Sequence, residues 1–327
     1  MQSNYTGNFA SATLEHMKYA VVVVFIGILC GIFIYFFIQN KNISIPSFQF
    51  ASVQQEKKKT TTILLGGDVM LGRSVTVQAL DTKHDSLFPF IYLQPVFDAA
   101  DIVFMNLENP IVENCPRQTT GMIFCAPPEM LAGLSSEKTI VNLANNHSAN
   151  HGFDGITQTK RSLLEKNILY TGQSELISKK VNEVVFGFLG FDKNQQSNPK
   201  LADYEKELIV KSKNKVDVLI VALHWGIEYQ SHPTEGQRLL AHEIVSLGAN
   251  VVVGHHPHWV QDVEWIGTTP VYYSLGNLIF DQMWSEETRH GLLVKLTFEG
   301  KNIEKQELIP TYITEIGQPI IMPSPKE

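Results

Sequence analysis

Cysteine is scarce in this sequence, three in 327 residues, which speaks against a structural zinc site built on thiolates. An excess of positive charge is missing too. The formal net charge is −7 and the pI is near 5.9, which gives no bulk attraction to nucleic acid or anionic lipid. No basic stripe interleaved with aromatics is present either, so nucleic acid is not an expected partner. Internal repeats and low-complexity tracts are absent, and glycine and proline occur at ordinary frequency. What remains is a chain, 44% hydrophobic, with length for one membrane segment and one large α/β domain, and no sign of a second core.

The one long uncharged run is Tyr19–Ile38, YAVVVVFIGILCGIFIYFFI. Roughly 20 apolar residues are what a helix needs to cross a bilayer. The run is apolar on every face and follows a polar tail (residues 1–18), which disfavours a buried core helix. A cleaved signal peptide is the rival reading. Against it, the run exceeds a usual signal core and Gln39-Asn40-Lys41-Asn42 follows with no small-x-small cleavage site. The reading is an uncleaved signal anchor (19–38), then a polar linker (39–60).

Two signals conflict on orientation. Lys18 and the amino terminus flank one side of the run, Lys41 and Lys57–Lys59 the other, a count that alone favours a cytoplasmic domain. Cys30 lies within the run, leaving Cys115 and Cys125 in one loop with Pro116 and Gly121. Two cysteines in a short surface loop suggest a disulfide, hence an oxidising compartment; two free thiols are the alternative.

In the domain, apolar runs repeatedly end in a polar residue. Thr61 to Leu65 reads as a strand, followed by Gly66, Gly67 and Asp68; that acid can ligate a metal or merely cap the next helix. Arg73 could hold an anionic substrate through its planar fork, or could be a surface charge. A helix over Leu93–Asp101 leads to the strand Ile102–Met105 and then to Glu108. The element from Thr139 ends in Asn145, Asn146 and His147, and a helix runs from about Gly155 to Lys166. Val184–Gly190 and Val216–Leu223 read as strands, the second tipped by His224. Ala241–Leu247 reads as a helix before the strand Val251–Val253, where Gly254 breaks the run and His255, His256 and His258 follow. In open α/β sheets, ligands bind at such strand ends. Pro270–Asp281 and Gly291–Phe298 read as strands of a closing sheet, and the tail after Gly317 as loose.

Collected, Asp68, Glu108, Asn146, His224, His256 and His258 mix oxygen with imidazole ligands. That mixture suits Zn²⁺, Mn²⁺ or Fe rather than Ca²⁺ or Mg²⁺. The set exceeds one ion's needs, and two ions bridged by a carboxylate can generate a hydroxide and hold both oxygens of an in-line displacement.

The stretches GGDVMLGR, NLENP, NLANNHSANHG, ALHWGIEY, GHHPHWVQ and YSLGNLIFD, in that order, resemble the CapA family of bacterial capsule and poly-γ-glutamate synthesis proteins. The likeness covers about residues 61–310, leaving 311–327 as a C-terminal tail. That family looks like a branch of the calcineurin-like metallophosphoesterases, which implies an α/β sandwich of two mixed β-sheets flanked by helices. It also implies a single-pass anchor in the bacterial cell membrane with the domain outside. Carried across by motif, the resemblance makes Asp68 and His258 ligands of a first metal and Glu108 the bridge. Asn146, His224 and His256 would ligate the second, and His147 would stabilise the transition state or protonate the leaving group. His255 is left over. Met70 stands where the wider superfamily has a histidine ligand, so the first site is expected to be the weaker. Ser148 stands where an acid often orients the catalytic histidine, leaving Asp154 as a candidate for that role.

Two functions follow from the resemblance. One is a metal-dependent hydrolase of capsule or poly-γ-glutamate synthesis and export, acting on a phosphoester or γ-glutamyl amide bond through a metal-activated hydroxide, with Arg73 on the substrate's anionic group. The other is a non-catalytic membrane subunit that binds or guides an anionic polymer and contacts synthase partners. A polymer guide should line its groove with Lys and Arg, and the domain shows no such cluster; Lys211, Lys213 and Lys215 are spaced like a solvated face. The hydrolase reading leads on that ground.

Overall fold

Strands in this chain alternate side chains between two apolar environments, which is the pattern of a sheet buried on both faces. The structure is a computed structural model and describes residues 10–39, 59–134, 136–172, 175–194 and 199–323, with side chains in the first helix described from Phe25 onward. The chain divides into two compact units, Met1–Glu56 and Lys57–Glu327.

Among its described residues the first unit contains one helix, α1 (Ala10–Gln39), which includes the apolar run Tyr19–Ile38. Its described side chains are exposed apolar residues such as Phe33 and Phe36. Among the described residues no helix is long and apolar enough to cross a membrane; in α1 those side chains begin only at Phe25.

In the second unit the chain first lays down β1 (Thr60–Val69), β2 (Ile102–Leu107), β3 (Thr139–Asn142) and β4 (Leu169–Thr171), which pair in parallel in that order. Two short helices, α2 (Arg73–Thr76) and α3 (Gln94–Ala99), and the longer α4 (Gly152–Glu165) lie between them. The chain then builds a second, six-stranded sheet from β5 (Ile177–Val181), β6 (Val184–Asp192), β7 (Val218–His224), β8 (Val251–His255), β9 (Val263–Ile266) and β10 (Thr269–Tyr272). Helices α5 (Asp203–Lys213) and α6 (Glu235–Ser246) connect its parallel strands. It returns to the first sheet with β11 (Asn277–Ile279), a helical turn α7 (Glu286–Arg289), β12 (His290–Glu299), β13 (Asn302–Glu315) and β14 (Gln318–Ile321). The expected sandwich of two mixed sheets flanked by helices is present.

Three apolar layers hold it together. Ile63, Leu65 and Phe104 of the first sheet meet Phe186, Phe188, Ile220 and Val253 of the second, with the Phe104 and Phe188 rings stacked 5.2 Å apart. Leu64, Val103 and Val141, one residue out of phase, face the opposite way, into a cluster that includes Phe97 and Leu163 of α3 and α4. Leu219, Val221 and Val252 do the same on the second sheet, packing with Ile209 of α5 and Leu240 and Ile244 of α6.

Several elements differ from the sequence reading. Pro270–Asp281 is not one strand: β10 belongs to the second sheet and β11 to the first, and the chain crosses between them at Gly276, whose φ is +66°. That crossing packs so closely on β1 that a Cβ on Gly67 would lie 2.0 Å from the Gly276 carbonyl oxygen. Residues 311–321, read as tail, belong to β13 and β14, because antiparallel pairing continues through Thr311↔Ile321 and Ile313↔Pro319. Helix α6 starts six residues earlier than its apolar pattern suggests, since Thr234 and Gln237 form a capping box. Cys115 and Cys125 are disulfide-bonded, as their shared loop suggested.

Candidate metal centre

The parallel strands of both sheets run their carboxyl ends toward one edge, and the polar residues past those ends converge there. Register places them. Asp68 of β1 lies opposite Asn106 of β2 on one side and Asn277 of β11 on the other, and His224 of β7 lies opposite His255 of β8. Glu108 leaves β2 one residue past its end, held by its backbone N–H to the Val69 carbonyl at 2.8 Å. His256 and His258 sit at positive φ, +96° and +60°, strained for non-glycine residues and therefore held by their surroundings.

The first sheet contributes carboxylates and the second imidazoles. His258 Nδ1 is 3.2 Å from Asp68 Oδ2, and its Nε2 is 3.7 Å from Glu108 Oε1. His224 Nε2 is 4.0 Å from the same Glu108 oxygen and 2.9 Å from Asn146 Oδ1. The His224 and His256 rings are 4.7 Å apart. Ligating atoms of Asp68, Glu108 and His224 lie within 4.8 Å of one another, as do those of Glu228, His256 and His258. All six metal-ligand candidates are thus brought into one cluster, with Glu228 added.

Amide side chains orient the cluster. Asn106 Nδ2 donates to Asp68 Oδ1 at 2.9 Å and to Glu108 Oε2 at 3.3 Å, while its oxygen accepts from Asn142 and Asn145 at 3.0 and 3.1 Å. Asn277 spends its nitrogen on Gln282 and the Thr288 carbonyl, so its oxygen, 3.0 Å from His258 Nδ1, accepts there. In the neutral ring that assignment leaves His258 Nε2 as the nitrogen with a lone pair.

The fit to a divalent cation rests on groups left without partners. Glu108 Oε1, His256 Nδ1 and both His255 nitrogens are buried with no hydrogen-bond partner. A buried carboxylate oxygen in that state costs several kcal/mol unless a cation faces it. Charges respond accordingly. Burial pushes Asp68 up, yet the His255 and His258 imidazoles beside it, at 3.5 and 3.2 Å, hold it well below the usual carboxylate range. Burial, then the Asp68 charge, push Glu108 well above it. Burial pulls His258 down, but the Glu108 and Asp68 carboxylates outweigh it and hold the imidazolium up at about 9. Burial, then His258, bring His256 down to about 4, and burial with His256 lowers His224.

His147 stacks on Phe124, ring centroids 3.9 Å apart. Its Nδ1 is 3.0 Å from Asn150 Oδ1, an oxygen that also accepts from the Phe124 backbone N–H at 2.7 Å. Asn150 is therefore the acceptor and His147 Nδ1 the donor, which leaves Nε2 unprotonated in the neutral ring. Asp154 does not orient it; that carboxylate accepts from Gln158 at 2.7 Å at the start of α4. Arg73 lines the cleft but is not a bare cation. It pairs through two nitrogens with Asp281, donates to the Gly121 carbonyl at 2.9 Å and lies 4.4 Å over the Phe124 ring. Met70 is fully buried in the apolar core, with its sulfur accepting from the Gly72 N–H at 3.1 Å.

Asn106, Asn277 and Glu228 escaped the sequence reading although each lies inside a quoted motif. In NLENP the acid drew attention from the amide; in HWGIEY the histidine did the same to Glu228. The cleft over the cluster, about 340 Å³, is lined by Arg73, Phe124, His147, Glu228, Tyr229, His258 and Trp284 among others. A larger cavity of about 540 Å³ contains none of the cluster's residues; Lys213, Asp217 and Asn250 line it at the strands' amino ends.

A family model described as "Bacterial capsule synthesis protein PGA_cap" matches residues 62–282. The PGA biosynthesis protein CapA of Bacillus subtilis (strain 168) is 31% identical over 271 residues, 76% of this chain and 70% of that protein. The capsule biosynthesis protein CapA of Bacillus anthracis is 27% identical over 296 residues, 82% of this chain and 71% of that protein. Among solved structures, a hypothetical protein from Thermus thermophilus superposes with a TM-score of 0.51 at 15% identity, covering 76% of this chain and 98% of its own, a likeness of fold alone.

Proposed function

The chain belongs to the PGA_cap family of bacterial capsule synthesis proteins, and from that premise we propose that it is a metal-dependent hydrolase of capsule or poly-γ-glutamate synthesis, anchored in the bacterial membrane. The observation that carries this reading is the unpartnered Glu108 Oε1, buried 3.7 Å from His258 and 4.0 Å from His224. An acceptor enclosed by two imidazoles suits a bound cation. Asp68 and His258 would hold one ion, Asn146, His224 and His256 the other, with Glu108 between them. Manganese, iron or zinc suits these donors. Such ions supply Lewis acidity, polarising a phosphoester or γ-glutamyl amide and bringing the pKa of water toward neutrality.

The chain's own residues do the rest. His147, positioned by Asn150 and Phe124, takes a proton from water at Nε2 and returns it to the leaving oxygen or nitrogen, so that water's hydroxyl ends on phosphorus or carbon. Its proton affinity fits that role: burial lowers it, and the Asn150 hydrogen bond only partly restores it, so the ring is neutral near pH 7. Arg73 still has two of its five N–H donors beyond those given to Asp281 and Gly121, and these would orient the substrate's carboxylate or phosphate. The disulfide Cys115–Cys125 supports a domain outside the cytoplasm, with Tyr19–Ile38 in α1 as the anchor. Synthase subunits in the same membrane would be its partners.

The rival, a non-catalytic guide for an anionic polymer, asks for a basic groove. Among the described residues the cleft's lining holds one arginine and no lysine, and Asp281 already pairs with that arginine. The test is elemental mass spectrometry on the full-length protein beside a His256→Ala/His258→Ala variant, followed by assays on phosphoesters and γ-glutamyl peptides. One to two equivalents of metal, lost in the variant, with hydrolysis that tracks metal content, is the expected result. A wild type that takes up no metal under any loading condition would sink the hydrolase reading.

A further inference from the structure

The wider superfamily's first motif supplies an imidazole at the position of Met70, and here that side chain is buried in the core with its sulfur committed to Gly72. A thioether would in any case be a poor donor for Mn²⁺, Fe²⁺ or Zn²⁺. The cluster nevertheless carries a donor that compensates for the loss, on a different element.

Glu228 lies in the loop that leaves β7. This loop is tied at both ends to the segment carrying His256 and His258. Trp225 N–H donates to the His255 carbonyl at 3.1 Å, and Tyr229 N–H donates to the Pro257 carbonyl at 2.8 Å. Trp225 is itself fully buried, its indole N–H on the Tyr273 carbonyl at 2.9 Å. Between these clamps Gly226 takes φ +88°, where a Cβ would press on the Gln237 side chain at 2.7 Å. Tyr229 takes φ +62°, and its hydroxyl accepts from Gln282 at 3.2 Å. The loop is thus fixed so that a Glu228 oxygen comes within 4.8 Å of ligating nitrogens of both His256 and His258. His256, only 7% exposed, has its Nδ1 buried and unpartnered.

Charge points the same way. Asp68, Glu108 and Glu228 put three carboxylates around the cluster, the cleft's lining among the described residues holds no lysine, and the Arg73 charge is balanced by Asp281. Two divalent cations would offset that negative charge.

We propose that Glu228 is a metal ligand of this centre, an oxygen donor to the first ion beside His258 and close to His256, that replaces the imidazole missing at Met70. The inference rests on the metal reading given above. It changes one expectation drawn from the sequence: the first site need not be the weaker, because a hard oxygen donor stands in for the missing nitrogen.

The experiment uses the full-length protein in detergent, stripped of metal and titrated with Mn²⁺, with stoichiometry from calorimetry and bound Mn²⁺ counted by electron paramagnetic resonance. Glu228→Gln is the isosteric variant and Glu228→Ala removes the oxygen altogether. Unfolding midpoints of the metal-free proteins check that both fold as the wild type does. The expected result is two equivalents in the wild type, with one retained and the other weakened by about 10–100-fold in both variants. Two equivalents at unchanged affinity in both variants would overturn the assignment of Glu228 and leave the metal reading standing. No binding in the wild type would overturn both.

Discussion

At the scale of the residue, the site depends on which nitrogen of each imidazole is free, and amides decide it. Asn150 commits His147 Nδ1 and Asn277 commits His258 Nδ1. Replacing His147 by Gln should lower turnover by about 10²–10⁴-fold, the usual contribution of a positioned acid–base group, without changing metal content. Steady-state kinetics beside elemental analysis separates this from a ligand role; metal lost along with activity would reassign His147 to the ligand set. His258 also gives the centre a pH dependence. In the metal-free protein its imidazolium persists up to about 9, because Glu108 and Asp68 outweigh its burial. An ion bound at Nε2 must displace that proton. At pH 8 metal uptake should therefore release about one proton from His258, and affinity should rise as pH approaches 9 and then level. Calorimetry in buffers of different ionisation enthalpy measures the release; uptake without protons would mean His258 is not a ligand.

At the scale of the element, helix α5 is fastened to the second sheet by a buried ion pair. Lys193, just past β6, donates to both Glu205 oxygens at 2.7 and 2.6 Å, with side chains 8% and 6% exposed. Glu205 also accepts from the Ala202 N–H at 2.7 Å, closing the first turn of α5. Lys193→Met leaves that carboxylate buried without its cation and should destabilise the fold by about 3–5 kcal/mol. Adding Glu205→Leu should recover much of the loss, because no charge is then stranded. Urea unfolding of the two variants decides it, and equal stability of Lys193→Met and wild type would show the pair to be solvated in practice. The Cys115–Cys125 loop is the matching device on the first sheet's side. It delivers Gly121 to Arg73 and Phe124 to both Arg73 and His147, so the cleft wall depends on one crosslink.

At the scale of the whole domain, the cluster spans the seam between the sheets, with Asp68 and Glu108 from one and His224, His256 and His258 from the other. Ions held there should bind the folded state only, so chelation should lower stability by about 3 kcal/mol for each ion present at roughly a hundredfold its Kd. Thermal unfolding with and without EDTA is the measurement; an unmoved midpoint would mean that the sheets are joined by the apolar layer of Phe104, Phe186 and Phe188 alone. The sequence by itself determined the strands that carry Asp68, His224 and His255 and lead into Glu108, because period-two burial on both faces leaves a readable apolar run ending in a polar residue. It also determined that Cys115 and Cys125 share one loop. Only the tertiary structure decided that Pro270–Asp281 divides between two sheets, because the crossing at Gly276 depends on a close approach to Gly67 from a distant part of the chain. It alone decided that Asn106, Asn150 and Asn277, rather than Asp154, orient the centre, and that Glu228 joins it. Amides and loop acids carry no periodic signal, and their roles arise from hydrogen bonds between residues far apart in sequence.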